Sequence, residues 1–193
     1  MTITIGVLAL QGNFAAHCAM LQSLNVATQL IKLPQQLQEV DGLIIPGGES
    51  TTMIKQILDQ PNWQVALADF YQQRLPIFGT CAGLILLSKN VQPTQFNLGW
   101  LDITVLRNGY GCQLDSHVVT GKFAWDQKIE KVDMPLIRAP RIINIGVQVK
   151  PLITENDNIY MVEEGAIIAT TFHPEMTKYT CIHQYFLDKV HSK

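Results

Sequence analysis

Two short segments of this chain are apolar at consecutive positions, "LII" at 43–45 and "PIF" at 76–78. A strand with one face in water alternates apolar and polar residues, whereas an uninterrupted apolar run indicates a strand covered on both faces. Such strands are typical of a parallel sheet that lies between two layers of helices. These segments therefore predict an α/β fold.

The rest of the chain fits this class. Helical stretches such as "NFAAHCAMLQSL" and "TTMIKQILDQ" alternate with strand-like runs, and the Gln60-Pro61 step predicts a break between two helices. After residue 98 the segments are mostly β, until a closing helix in "KYTCIHQYFLDKVH". We predict a three-layer, mostly parallel doubly wound sheet with helices on both faces and additional β segments, forming one domain over residues 1–193.

Composition excludes several classes of function. The 193-residue chain carries a formal net charge of -2 and has no basic run, which argues against nucleic acid and an anionic membrane as partners. No apolar run reaches membrane-spanning length, and the N-terminus reads as a strand instead of a signal peptide. The four cysteines, at 18, 81, 112 and 181, form no disulfide or zinc-ribbon spacing, so we expect a reducing cytoplasm.

The sequence "GTCAG" at 79–83 places Cys81 between a predicted strand and a predicted helix. This pattern is typical of a nucleophile elbow, in which glycines two places either side permit a sharp turn. The following helix, "LILLSK", would favour the thiolate through its positive N-terminal end, and the Ala82 amide can donate to an oxyanion. A buried core cysteine in tight packing explains the five residues equally well.

A cysteine nucleophile needs an imidazole and a group that orients it. His173 directly follows the apolar strand "GAIIATTF", and an extended backbone would project Glu175 to the same side. An ordinary turn after a strand is the competing interpretation. The remaining histidines read as surface or packing residues: His17, His117, His183 and His191.

A third motif, "IIPGGESTTM" at 44–53, begins with the last residues of a predicted strand and continues into a glycine loop. Gly47 and Gly48 permit close backbone approach, and Ser50 or Thr51 can cap the next helix, although a plain glycine turn would look the same. No dinucleotide or Walker fingerprint is present. Cys181 and His183 lack further ligands at metal-binding spacing, so we predict no metal and no cofactor.

Six blocks occur together in this chain: "GVLALQG", "GLIIPGGESTTM", "PIFGTCAGLILL", "LGWLDITVLRN", "IRAPRI" and "FHPE". In this order they resemble the PdxT/SNO family, the glutaminase subunits of pyridoxal 5'-phosphate synthase within the class I, triad-type glutamine amidotransferases. The match runs from about residue 3 to the last helix.

The resemblance implies a role for each matching residue. Cys81 would be the nucleophile, His173 the general base and acid, and Glu175 its orienting partner. The oxyanion would lie on the amide of Ala82 and on that of Gly47 or Gly48. The glutamine-binding positions would be Gly48, Glu49, Ser50, Arg107, Ile137 and Arg138.

The resemblance also implies an activity and a partner. The chain would hydrolyse L-glutamine to L-glutamate and pass ammonia to a (β/α)8-barrel synthase subunit in a large hetero-oligomer. That subunit would combine ammonia with ribose 5-phosphate and glyceraldehyde 3-phosphate, so pyridoxal 5'-phosphate is a product and not a cofactor. The isolated chain would be poorly active until the partner docks near Gln11.

Some features depart from the family pattern. Relatives commonly read "FGRQVDSF" where this chain has "YGCQLDSH", which introduces Cys112 and His117, and segment 122–136 has no close match. Two further functions stay open at this point. One is a stand-alone cysteine amide hydrolase of the same fold, and the other is a non-catalytic regulatory binding subunit.

Overall fold

The structure, a computed structural model, describes residues 3–110 and 116–192. The five helices are α1 (Phe14–Ser23), α2 (Ser50–Asp59), α3 (Pro61–Gln72), α4 (Ala82–Leu87) and α5 (Cys181–His191). The first six strands are β1 (Thr4–Leu8), β2 (Ala27–Ile31), β3 (Gly42–Ile45), β4 (Ile77–Thr80), β5 (Ser88–Gln92) and β6 (Leu101–Leu106). The others are β7 (Ser116–Trp125), β8 (Lys128–Ile137), β9 (Arg141–Ile145), β10 (Lys150–Glu155), β11 (Asn158–Glu164) and β12 (Ile167–Thr170). Short 3₁₀ turns occupy Pro34–Glu39 and Pro174–Met176.

One sheet of ten strands forms the centre of the molecule. Its order is β2-β1-β3-β4-β12-β11-β9-β6-β5, with β10 paired to β11. The first five strands of this order are all parallel, and the antiparallel pairs lie beyond β12. Strands β7 and β8 form a separate antiparallel hairpin.

Each central strand sends alternate side chains to opposite faces of the sheet. Leu43 and Ile45 lie in one buried apolar cluster, and Ile44 between them lies in the other. Helices α2, α3 and α4 cover the first face, whereas α1 and α5 cover the second. The apolar runs thus have the cause that the sequence indicated, and the predicted three-layer α/β fold is confirmed.

Segment 122–136, which has no close match in the family pattern, lies in the hairpin of β7 and β8. Phe123, Val132 and Met134 are buried in the cluster that also contains α1 and α5. The Phe123 ring packs edge-on against Tyr185, with ring centroids 5.5 Å apart. The hairpin therefore extends the second helical layer and helps to cover the sheet.

The predicted helices are present, and their ends differ from the predicted ones by a few residues at most. The break at Gln60 falls as predicted, because Pro61 begins α3. Helix α4 is shorter than "LILLSK" indicated: it ends at Leu87, and Ser88 opens β5. The Ser88 hydroxyl donates to the Ile85 carbonyl at 2.7 Å, which satisfies a carbonyl at the end of the helix. Among residues 3–110 and 116–192, no helix is long and apolar enough to cross a membrane.

Three of the predicted motifs meet at one edge of the sheet. Strands β3, β4 and β12 are adjacent and parallel, so their carboxyl ends lie side by side. Gly47 follows β3, Cys81 follows β4, and His173 follows β12. This edge is where ligands bind in open α/β sheets.

The first turn of α4 packs directly on β3, which gives a test of this arrangement. A Cβ added to Gly83 would lie 2.1 Å from the Ile45 carbonyl oxygen. We expect Gly83→Ala to lower the free energy of unfolding by about 1–3 kcal/mol, because the backbone must move to relieve the overlap. Urea denaturation monitored by circular dichroism measures this change.

Gly165→Asn is the matched control. Gly165 has a φ of +58°, which asparagine tolerates, and a Cβ there meets nothing within 4 Å. We expect a change below about 1 kcal/mol. Equal costs at the two positions would show that α4 does not depend on close approach to β3.

Candidate active site

Cys81 lies on a strained turn between β4 and α4. Its φ of 47° and ψ of −99° fall outside the regions that non-glycine residues favour, as expected for a nucleophile elbow. Gly83 avoids β3, as predicted. Gly79 is instead constrained by the helix: an added Cβ would lie 2.6 Å from Leu87 Cδ1 and 2.9 Å from the Gly83 carbonyl carbon.

The imidazole of His173 bridges a thiol and a carboxylate. Its Nδ1 lies 2.8 Å from Glu175 Oε1, and the ring also hydrogen-bonds the Cys81 side chain. The predicted reason for the His173 and Glu175 pairing was wrong. The chain is not extended here, because a 3₁₀ turn begins at Pro174 and folds the carboxylate back under the ring.

Electrostatics within this group favour the ionised forms of His173 and Glu175. Burial disfavours protonation of His173, but hydrogen bonds and charge from Cys81 and Glu175 outweigh it and raise the pKa of His173 to about 10. Burial would raise the pKa of Glu175, yet the hydrogen bond from His173 and electrostatic attraction to the rings of His17 and His173 lower it. The arrangement therefore stabilises an imidazolium between two acidic groups.

The glycine loop closes over the imidazole and the thiol. A Cβ on Gly47 would lie 2.3 Å from His173 Cε1 and 3.1 Å from Cys81 Cβ, so only glycine fits. The Gly47 N–H donates to Thr80 Oγ1 at 2.9 Å, and its carbonyl accepts from Asn13 N at 3.0 Å. Because the Gly47 N–H already has a partner, Gly48 is the better candidate for an oxyanion donor.

Glu49 is the N-cap of α2. Its carboxylate accepts from the Thr51 backbone N–H at 3.4 Å and from the Thr51 hydroxyl at 2.8 Å. The prediction that Ser50 or Thr51 caps this helix was wrong, because the helix begins at Ser50, one residue earlier than a cap at that position requires. Hydrogen bonds from Thr51 and the charges of Arg138 and Arg107 lower the pKa of Glu49.

A cavity of about 310 Å³ opens above the thiol. Its predicted lining residues are Gln11, Gly47, Gly48, Glu49, Ser50, Cys81, Arg107, Ile137, Arg138 and His173. Ala82 and Glu175 are not among them, since both are buried beneath the surface. The cavity thus combines one carboxylate with two guanidinium groups beside the Cys81 thiol.

Four residues that line the cavity were not predicted from the sequence. They are Asn13, Ile85, Asn108 and Met176. The Gln11 side chain faces this cavity and accepts from the Glu49 backbone N–H at 2.6 Å. The Arg107 guanidinium donates to Gln95 at 2.7 Å.

Two histidines beneath the site were also missed. His17 and His183 are both fully buried, which excludes the predicted surface alternative and leaves a packing role or a role beside the site. His17 reaches Glu175, with Nε2 lying 3.4 Å from Oε2. Helical periodicity predicts that His17 lies on a helix, but it does not show that Glu175, far along the chain, lies next to it.

The other depression, the possible metal ligands and the remaining cysteines do not form a second candidate catalytic site in the described residues. A larger depression of about 600 Å³ lies between α3 and the first 3₁₀ turn, but the residues that line it include no cysteine and no histidine. In the described ranges no three His, Cys, Asp or Glu side chains are arranged to hold a metal ion. Cys18, Cys81 and Cys181 are free thiols, and Cys112 lies outside the described residues.

Comparison with known sequences identifies the family. The model of the SNO glutamine amidotransferase family matches residues 7–192. Pyridoxal 5'-phosphate synthase subunit PdxT of Thermotoga maritima is 46% identical over 187 residues, which cover 96% of this chain and 98% of that protein. The PdxT subunit of Bacillus licheniformis is 39% identical over 193 residues, covering 97% and 95%.

Solved structures agree with the sequence comparison. A crystal structure of a glutamine amidotransferase superposes with a TM-score of 0.90 at 33% identity, over 97% of this chain and 98% of that one. PurLQS of Thermotoga maritima has a TM-score of 0.69 at 17% identity, over 97% and 99%, and shares the fold. The fold, with its cysteine elbow, buried imidazole and glycine loop at one sheet edge, agrees with these matches. The chain belongs to the SNO glutamine amidotransferase family.

Proposed function

We propose that this protein is the glutaminase subunit of a pyridoxal 5'-phosphate synthase, releasing ammonia from L-glutamine. The observation that carries the proposal is the Cys81, His173 and Glu175 group, joined by hydrogen bonds at the floor of a cavity that Glu49 and Arg138 also approach. The relatives named PdxT support the same function.

The charges of the cavity fit a free amino acid. A guanidinium such as Arg107 or Arg138 can bind the α-carboxylate through its planar fork, and Glu49 can accept from the α-ammonium. Gly48, Ser50 and Ile137 complete the proposed binding wall. The side-chain amide of glutamine would then extend toward the thiol.

The reaction proceeds by acyl transfer. The Cys81 thiolate attacks the side-chain amide carbon of glutamine, and the imidazolium of His173 protonates the departing nitrogen, which leaves as ammonia. A thioester to Cys81 remains. His173 then accepts a proton from water as the water attacks the thioester, which releases glutamate and restores the thiolate and imidazolium.

The tetrahedral intermediates need donors for a negative oxygen. The amide of Ala82 opens α4 and has no partner within the helix, because the first four amides of a helix lack one. The amide of Gly48, which lines the same cavity as the thiol, is the second proposed donor. Removing one such donor typically costs about 3 kcal/mol of transition-state stabilisation.

The partner follows from what released ammonia must do. We propose that a (β/α)8-barrel synthase subunit receives it within a large hetero-oligomer, with Gln11 near the contact. Gln11 bonds the Glu49 amide, so a partner that moves Gln11 would also move the substrate loop. We further propose one glutaminase domain over residues 1–193, working in the cytoplasm; the single central sheet and the free thiols support this.

The first prediction concerns the nucleophile and the partner. Glutamate release from glutamine should rise when a synthase subunit is added, and Cys81→Ala should lower kcat about 10⁴-fold or more, because no thioester can form. A coupled glutamate dehydrogenase assay measures both. Cys18→Ala, which removes a half-buried thiol on α1, is the matched control and should keep full activity.

Other outcomes would favour the alternatives. Partner-independent turnover of other amides would indicate a stand-alone cysteine hydrolase. Unchanged synthesis of pyridoxal 5'-phosphate from glutamine in the Cys81→Ala complex would indicate a binding subunit.

The second prediction concerns pH. Because the pKa of His173 is raised to about 10, the imidazolium needed to protonate ammonia persists above neutrality and is lost as pH rises through that value. We expect kcat/KM for glutamine to stay level between about pH 7 and 9. Glu175→Gln should lower this alkaline limit by about one pH unit or more, since it removes a charge that holds the proton.

The measurement is a pH–rate profile of the wild-type and Glu175→Gln complexes. Glu130→Gln, a change on the hairpin strand β8, controls for general loss of a carboxylate. An alkaline limit that is identical in all three proteins would contradict the assigned role of Glu175.

A further inference from the structure

The second oxygen of Glu175 poses a problem that the proposed mechanism does not solve. Oε1 bonds His173, but Oε2 is fully buried and makes no hydrogen bond within the part of the chain that the structure describes. A buried carboxylate oxygen without a donor is costly. A polar atom that approaches it is Nε2 of His17, at 3.4 Å.

The surroundings of His17 determine which of its nitrogens carries hydrogen. Nδ1 lies 3.0 Å from Nε2 of His183, and Nε2 lies 3.3 Å from Thr80 Oγ1 as well as near Glu175. His183 Nδ1 is buried and makes no hydrogen bond in the described structure. That nitrogen must therefore be the bare one, because an N–H there would be an unpaired donor.

This assignment fixes the whole chain of bonds. With Nδ1 bare, His183 carries its hydrogen on Nε2 and donates it to Nδ1 of His17. His17 then carries its own hydrogen on Nε2, directed at Glu175 and Thr80. The reverse assignment would leave an unpaired N–H on His183 and place a lone pair of His17 against the carboxylate.

Both histidines are uncharged near neutral pH. Burial lowers the pKa of His17 to about 4, with Glu175 opposing and His173 adding to this effect. Burial and the neighbouring His17 lower the pKa of His183 well below its usual value. Near neutral pH an uncharged His17 ring therefore faces Glu175.

From these contacts we propose that His17 is a positioning residue, which donates its Nε2 hydrogen to Glu175 Oε2 and is itself oriented by His183. The donor keeps Glu175 ionised and holds Oε1 on His173. His17 also contacts the hydroxyl of Thr80. That hydroxyl accepts a hydrogen bond from the Gly47 N–H at 2.9 Å, so His17 is linked to the glycine loop as well. The proposal deepens the proposed function and rests on it.

The experiment compares two substitutions that differ in reach. In His17→Gln the side-chain amide extends to the position of the histidine Nε2 and can still donate to Glu175. In His17→Asn the amide extends only to the position of Nδ1, so it can contact His183 but not Glu175. Both replacements are polar and uncharged, and circular dichroism and a melting curve verify that each variant is folded.

The principal readout is Cys81 alkylation by iodoacetamide as a function of pH, with the Cys81 peptide quantified by mass spectrometry. If Glu175 loses its donor, it supports the His173 imidazolium less well, and the thiolate beside it is less stabilised. His17→Asn should move the pH of half-maximal alkylation upward by about half a unit or more, and His17→Gln should restore most of it. This readout needs no glutamine turnover, so it can succeed even if the proposed substrate is wrong.

The second readout is glutamine hydrolysis by each variant with the synthase subunit present. His17→Asn should lower kcat by about tenfold to a hundredfold with KM nearly unchanged, and His17→Gln should stay within about threefold of wild type. Equal alkylation profiles for Asn and Gln, with both variants folded, would overturn the proposal and leave His17 as a packing residue. If His17→Asn does not fold, His183→Leu provides the test: an unchanged alkylation profile there would also overturn it.

Discussion

The close contact between the first turn of α4 and strand β3 is the constraint on which the site depends. Gly83 lies so near the Ile45 carbonyl that no side chain fits, and Cys81, two residues earlier in the same tight turn, has a strained backbone conformation. The Cys81 side chain lies at the carboxyl edge of the sheet, where it lines the cavity. Packing within the fold therefore helps to determine where the Cys81 thiol lies.

A second layer of interactions holds the imidazole. His173 leaves β12 beside the elbow, and the 3₁₀ turn that follows brings Glu175 beneath the ring. The carboxylate is buried by α1, from which His17 approaches. Both helical layers of the fold thus contribute to one site: α4 supplies the elbow from one face of the sheet, and α1 and α5 supply the buried histidines from the other.

Much of this was predictable from the sequence, for identifiable reasons. The apolar runs predicted the sheet, because burial of a strand on both faces produces consecutive apolar residues. The glycines around Cys81 predicted the elbow, because a sharp turn excludes side chains at those positions. Strand ends in a parallel sheet converge, so Gly47, Cys81 and His173 could be placed together before any coordinates.

What the sequence did not predict depends on contacts between distant segments. His17 and Glu175 are far apart in the chain, and nothing local marks a histidine on a helix as the neighbour of a carboxylate. The cap of α2 was misassigned because Glu49, a less common cap residue than serine or threonine, is held there by Thr51 and by the nearby arginines. The geometry of His173 and Glu175 was right in outcome and wrong in cause, since a short 3₁₀ turn is not visible in periodicity.

The central claim is that Cys81 forms a covalent bond to the side-chain acyl group of glutamine. Rapid mixing of the complex with glutamine, followed by acid quench and mass spectrometry of the Cys81 peptide, tests it most directly. The account predicts a transient γ-glutamyl adduct on Cys81 that appears before steady-state glutamate release and is absent in Cys81→Ser at the same times. Glutamate release at full rate without any acyl adduct on Cys81 would contradict it.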